Sequence, residues 1–218
     1  MNGFAFSRRA AAVLACLWSG TSLAQALDAA AGGARVPLQR QDMRVGSVDA
    51  DHDDEYLYRL PYADDASFPI IQAYGAKLSH RGPEQFTLDF GMPVGTPVHA
   101  ARDGVVVLLE DANDAGCSSE ECGRLANFVV VLHSDGTTGE YFHLAQGSAR
   151  VRLGERVSRG QPLALSGNTG YSTAPHLHFG VYRAARDRGT ESLAVHFLTR
   201  SGPVSAPRSG ARYLNALE

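Results

Sequence analysis

No stretch of this 218-residue chain approaches the ~20 consecutive apolar residues that a membrane-spanning helix needs. Basic residues are outnumbered, 20 Lys and Arg against 23 Asp and Glu, for a formal charge of −3. That balance leaves no basic face for nucleic acid or for an anionic membrane surface. Cysteine is scarce: Cys16, Cys117 and Cys122 are too few for a thiolate zinc site, which needs two pairs. Internal repeats are missing, which excludes solenoids, and no long amphipathic helix can be drawn.

What is present begins with Arg8-Arg9, an apolar run over 10–18 and a small-residue stretch ending at Ala24-Gln25-Ala26. A basic start, a short apolar centre and a small-x-small end read as a secretory signal peptide over 1–26, cleaved after Ala24 or Ala26. Ser7-Arg8-Arg9 is also a partial twin-arginine signal. A lipoprotein anchor at Cys16 is disfavoured, because only six residues separate it from Arg9. Cleavage removes two arginines and no acids, so the charge moves from −3 to −5. It also leaves Cys117 and Cys122 as an even, closely spaced pair, which suits a disulfide tying the neck of a hairpin loop in a secreted, periplasmic protein.

Four segments follow from the patterning: the signal peptide 1–26, a lead-in and edge strand over 27–66, a main domain over 67–200 and a Gly/Pro/Ser-rich tail over 201–218. The acidic run Asp49, Asp51, His52, Asp53, Asp54, Glu55 reads as a solvated loop. Beyond Tyr56, short β-prone runs alternate with turn signals and predict an all-β domain, with strands at 55–60, 85–90, 104–110, 127–133, 138–144, 162–166 and 176–183. Asp135-Gly136 is a hairpin turn, and 192–200 suggests a short helix.

The chemistry gathers around His176-Leu177-His178. Side chains alternate along a strand, so these two imidazoles share a face. Asp89 is a lone carboxylate in an apolar strand, costly there unless paired or metal-bound. Tyr141 and His143 share a face by the same alternation, and Ser79-His80-Arg81-Gly82 is a turn carrying a further imidazole. A carboxylate and two imidazoles are a standard catalytic zinc set with a fourth position left open. A nearby histidine that is not a ligand can then carry a proton. His99, His133 and His196 read as packed or rim histidines, and Asn168 and Thr169 as turn or groove-rim residues.

Five ordered motifs then stand together: Ser79-His80-x-Gly82; Asp89-Phe90-x-x-Pro93-x-Gly95-Thr96-Pro97-Val98; Ala100-Ala101-Arg102-Asp103-Gly104-x-Val106; Tyr141-x-His143-Leu144; and Ser166-Gly167-Asn168-Thr169-Gly170-x-Ser172-x-x-Pro175-His176-Leu177-His178-Phe179. Over about residues 71–182 they resemble the lysostaphin/LytM-type zinc metallopeptidases that cut peptidoglycan peptides. The resemblance implies an antiparallel β-sandwich with one zinc ion at the floor of an open groove. His80, Asp89 and His178 would be the ligands, His176 the general base, and His143 would help to hold the oxyanion. Absence of His-Glu-x-x-His agrees, since proton transfer falls here to histidine. The family's His-x-x-x-Asp spacing is not kept: position 85 is Gln, and His80 stands nine residues before Asp89. Two readings follow. A longer turn brings His80 back and the chain is a peptidoglycan endopeptidase, or Gln85 takes the ligand position and the chain is a wall-binding regulator. A β-sandwich phosphocarrier is a third class, opposed by the export signal.

Overall fold

The computed structural model describes residues 46–47, 49–185 and 189–217, within the compact unit Gln39–Glu218. The signal peptide 1–26, Cys16 and most of the lead-in's first half lie outside the described residues. Among these residues no helix is long and apolar enough to cross a membrane.

The main element is an eight-stranded sheet. Its path runs Ile70–Gln72, Leu88–Phe90, Leu177–Ala184, Thr138–Phe142, Phe128–Leu132, Gly104–Glu110 and Arg156–Val157, with Thr190–Leu193 pairing to the far end of Leu177–Ala184. Every pairing in it is antiparallel. Smaller sheets lie over one face: Pro97–His99 with Pro162–Leu165, and Leu57–Tyr58 with His196–Thr199 and Gly202–Val204. Between the layers sits the apolar core, with Leu88, Phe90, Val129, Tyr141, Phe179 and Phe197 among its buried members. The expected all-β sandwich is therefore present. Two short pairs depart from antiparallel order, Leu57–Tyr58 with His196–Phe197 and Gly170–Tyr171 with Gly116–Cys117.

Alternation decides which residues reach the site. Leu88, Phe179 and Tyr141 point into the core, so Asp89 and His178, which are register partners, project from the opposite face together with Phe142.

One expectation needs correction. Segment 192–200 is not helical: strands Thr190–Leu193 and His196–Thr199 occupy it, and the burial of Phe197 and Thr199 beside half-buried His196 and Leu198 is the period of a strand. His196 is thus a strand residue paired with Leu57. The tail is tied to the main domain: buried Asn215 accepts from Leu60 N (2.8 Å) and donates to the Tyr62 carbonyl (2.8 Å). The described part of the lead-in docks on the Asp135-Gly136 turn, through Ser47 N to Gly136 O and Asp51 N to Asp135 O. Arg102 clasps that turn by an ion pair to Asp135 (2.6 Å) and lies 4.0 Å over the Tyr56 ring.

Candidate metal centre

The segment that breaks the expected spacing is a tight turn. His80 N bonds to Ala76 O, a 3-10 turn follows over Gly82–Glu84, and Gly82 holds φ +56°, which a glycine adopts without strain. Thr87 then caps the Glu84 carbonyl with both its N–H and its hydroxyl, and Leu88–Phe90 begins. The turn returns His80 to the strand face: one donor atom from each of His80, Asp89 and His178 lies within 4.8 Å of the others. Gln85 does not share this place. Its side chain is exposed, and its carbonyl accepts from Gly75 N.

Tautomers follow from the acceptors around each ring. His80 Nδ1 is 3.0 Å from the Ala73 carbonyl, which can only accept, so Nδ1 carries the proton and Nε2 is bare. That bare Nε2 is buried without a hydrogen-bond partner, 3.2 Å from Asp89 Oδ1. A lone pair facing a carboxylate oxygen at this distance calls for a cation between them. His178 presents Nδ1 to the same oxygen at 2.8 Å. Asp89 Oδ2 accepts from Gln72 Nε2 at 2.6 Å, which leaves Oδ1 turned toward the imidazoles. Two imidazole nitrogens and one carboxylate oxygen, with an orphaned buried nitrogen among them, fit a zinc ion.

His176 and His143 stand beside this set. His176 Nδ1 donates to the Ala174 carbonyl (2.8 Å), leaving Nε2 bare and 3.9 Å from Asp89 Oδ1. His143 Nδ1 donates to the Thr169 carbonyl (2.7 Å), and its ring lies 4.5 Å from that of His176 and 6.0 Å from that of His178. Tyr141 and His143 do not share a face, contrary to the alternation argument. The strand ends at Phe142, and His143 takes φ +65°, a left-handed conformation uncommon for any residue but glycine. This reversal sends its ring to the side of His176, whereas Tyr141 stays in the core and its hydroxyl accepts from Ala101 N. His99 and His133 hold to their packing roles, bonded to the Gly160 and Asp103 carbonyls.

Electrostatics sharpen the assignment. Burial works against an ionised Asp89, but the hydrogen bond from His178 and the charge of that imidazole outweigh it and hold the carboxyl well below its usual range. Burial likewise opposes charge on His178, and the Asp89 and Glu84 carboxylates override it, lifting the imidazole to about 9. Desolvation lowers His143 to about 3 and His133 to about 4, and lowers His176 as well. His133, His143 and His176 therefore take up protons on unfolding once pH drops below the ordinary 6.5, and their stabilisation fades toward acid. The His178 contribution is full below pH 6.5 and is lost as pH rises through 9. The metal-free chain is expected to melt highest near pH 6.5 and to lose stability on both sides. A melting temperature that climbs steadily from pH 6.5 to 9 contradicts the charged His178–Asp89 pair.

Cys117 and Cys122 form the expected disulfide, although it closes a strand into the 3-10 turn Glu120–Leu125 rather than a hairpin neck. Gly116–Cys117 lies along Gly170–Tyr171, so close that a Cβ on Gly116 would collide with the Asn168 carbonyl. Cys117 O accepts from Ser172 N (3.0 Å), and the Ser172 hydroxyl sits 3.2 Å from His176 Nδ1. The cross-link thus braces the loop that seats His176. Replacing both cysteines by serine is expected to cost about 2 kcal/mol in guanidinium unfolding, from the entropy of so short a loop.

Four contributors were not foreseen as site residues: Gln72, Glu84, Ser172 and Tyr182. Gln72 carried a signal, a polar residue in the apolar run Pro69-Ile70-Ile71-Gln72-Ala73. Glu84 carried another, an acid inside the lengthened turn.

Peptidase family M23 matches residues 84–190, beginning just downstream of His80. Peptidoglycan DD-endopeptidase ShyA of Vibrio cholerae is 44% identical over 91 residues, which are 42% of this chain and 18% of that protein. Glycyl-glycine endopeptidase ALE-1 of Staphylococcus capitis is 36% identical over 126 residues, 57% of this chain and 32% of that protein. This chain thus spans less than a third of the length of either relative. The catalytic domain of the antimicrobial peptidase lysostaphin from Staphylococcus simulans aligns at 26% identity with a TM-score of 0.39, over 64% of this chain and 87% of that one. Over residues 84–190, just under half of its length, the chain is similar to peptidase family M23.

Proposed function

We propose that this chain is an exported, zinc-dependent endopeptidase that hydrolyses amide bonds in the peptide stems or cross-links of peptidoglycan. The observation that carries the reading is the bare, buried His80 Nε2 held against Asp89 Oδ1 with His178 Nδ1 alongside. His80, Asp89 and His178 are the ligands in this reading, one zinc per chain. Zinc in that position would supply Lewis acidity and an activated water at neutral pH.

The chain's own residues do the rest. His176 is neutral at pH 7 because burial lowers its pKa, and its bare Nε2 is the atom that takes the proton of the attacking water and returns it to the leaving amine. Ala174 and Ser172 keep that ring in register. His143 donates Nδ1–H to Thr169, so a neutral His143 offers only a bare Nε2. Holding the oxyanion requires its imidazolium, in which both nitrogens donate. Burial opposes that charge, and negative charge developing beside the ring favours it.

Exposure of Gln85, away from the cluster, supports this reading over the regulatory-module alternative, which needs Gln85 as a ligand. The disulfide suits an oxidising compartment, in keeping with the signal-like run 8–26 and periplasmic action. The test is digestion of cross-linked peptidoglycan by the purified chain, with products read by mass spectrometry. Cross-linked fragments are expected to give free peptide ends, with cleavage stopped by a chelator and restored by zinc. A zinc-loaded chain that cuts no amide bond in that material contradicts the proposal.

A further inference from the structure

The lengthened turn between His80 and Asp89 does more than return a histidine. It carries Glu84 at its last position and aims that carboxylate at the outer side of His178. Glu84 Oε2 is 3.6 Å from His178 Nε2, and the Tyr182 hydroxyl donates to the same oxygen at 2.8 Å. Tyr182 itself stands 3.5 Å from His178 Nε2, because residues four apart on one strand share a face. The Glu84 backbone is fixed as well: its N–H bonds to Arg81 O, and its carbonyl takes both bonds from Thr87.

We propose that Glu84 is a positioning residue for the metal site, its carboxylate, braced by Tyr182, standing at ion-pair distance from His178 Nε2, favouring the proton there and so fixing the tautomer that offers Nδ1 beside Asp89. The inference rests on the zinc reading above and deepens it. The logic is that of a two-nitrogen ring: Nδ1 can serve a metal only when the proton resides on Nε2, and a proton there needs an acceptor. His80 solves the mirror problem with the Ala73 carbonyl on its Nδ1. His178, whose Nδ1 is committed to the Asp89 side, has Glu84 on the other. A carboxylate in this place also makes the ring a stronger donor than a carbonyl would. The same insertion that sets the nine-residue spacing thereby supplies the carboxylate to the third nitrogen of the set. A His-x-x-x-Asp spacing, with only three residues in between, has no room for this turn.

The experiment is zinc affinity by competition with a chromophoric chelator, for the parent chain, Glu84→Ala, Glu84→Gln and Tyr182→Phe, beside the melting temperature of each metal-free chain. Glu84→Ala is expected to bind zinc about 10–100-fold more weakly, the usual effect of losing a ligand's outer partner. Glu84→Gln keeps an accepting oxygen and is expected to lose less, within about tenfold. Nitrogen-15 shifts of His178 in the zinc-loaded parent are expected to show a protonated Nε2, and in Glu84→Ala a broadened or mixed signal, a readout that mere support of the fold would not change. A parent that holds zinc while folded Glu84→Ala binds it within about twofold overturns this inference and leaves the zinc reading standing. A parent that takes up no zinc overturns both.

Discussion

Asp89→Ala is expected to strip the chain of tightly held zinc and to abolish peptidase activity. One oxygen of this carboxylate faces three imidazoles: His178 Nδ1 at 2.8 Å, His80 Nε2 at 3.2 Å and His176 Nε2 at 3.9 Å. The other oxygen is held by Gln72 at 2.6 Å, so the group cannot turn without breaking a short bond. Alanine leaves two neutral nitrogens and no charge to offset a divalent ion. Affinity is expected to fall by more than about 100-fold, beyond the loss seen when only an outer partner is removed. The metal-free variant is also expected to be about 3–5 kcal/mol less stable near neutral pH, because His178 loses the carboxylate that keeps it charged in a buried place. Chelator competition reads the first effect and guanidinium unfolding the second. Zinc retained at near-parental affinity in Asp89→Ala would remove Asp89 from the ligand set.

His176→Ala is expected to behave differently. It leaves His80, Asp89 and His178 intact, so zinc stoichiometry and affinity stay close to the parent. The turnover number is expected to fall by roughly 10²–10⁴, the contribution of a positioned general base, with KM little changed. Its rate profile should lose the limb in which the parent's activity declines toward acid, because burial lowers the His176 pKa and protonation of Nε2 is what ends the parent's activity there. The Ser172 and Ala174 contacts to Nδ1 make the position specific: Asn in place of His176 could keep such a contact but carries no base. A variant that loses zinc in step with activity would make His176 a ligand and not a base.

The sequence was readable where one physical rule governed a whole segment. Alternation put His176 and His178 on one face, and the structure brings Nε2 of the first to 3.9 Å and Nδ1 of the second to 2.8 Å from the same Asp89 oxygen. It failed for Tyr141 and His143, since period two lasts only while the strand continues, and the left-handed backbone at His143 lies one residue past its end. At 192–200 the pattern suggests a helix, whereas the alternation of Phe197 and Thr199 belongs to the second of two short strands. The nine-residue gap before Asp89 was legible as an anomaly. Its resolution was not, because whether a turn returns His80 or leaves Gln85 inside depends on the bonds of 76–87 and on Ser192 Oγ, which accepts from Phe86 N across 106 residues of sequence. Glu84 and Gln72 escaped notice for the same reason: their partners, His178 and Asp89, are near only in the fold.

The measurement closest to the central claim is the zinc content of the purified chain beside that of His80→Ala. About one zinc per parent chain is expected, as a closed set of three protein ligands requires, with its loss in the variant and the fold retained. A folded parent that stays free of zinc after supplementation, or a His80→Ala chain that holds as much as the parent, contradicts the claim that the turn through Glu84 completes the site.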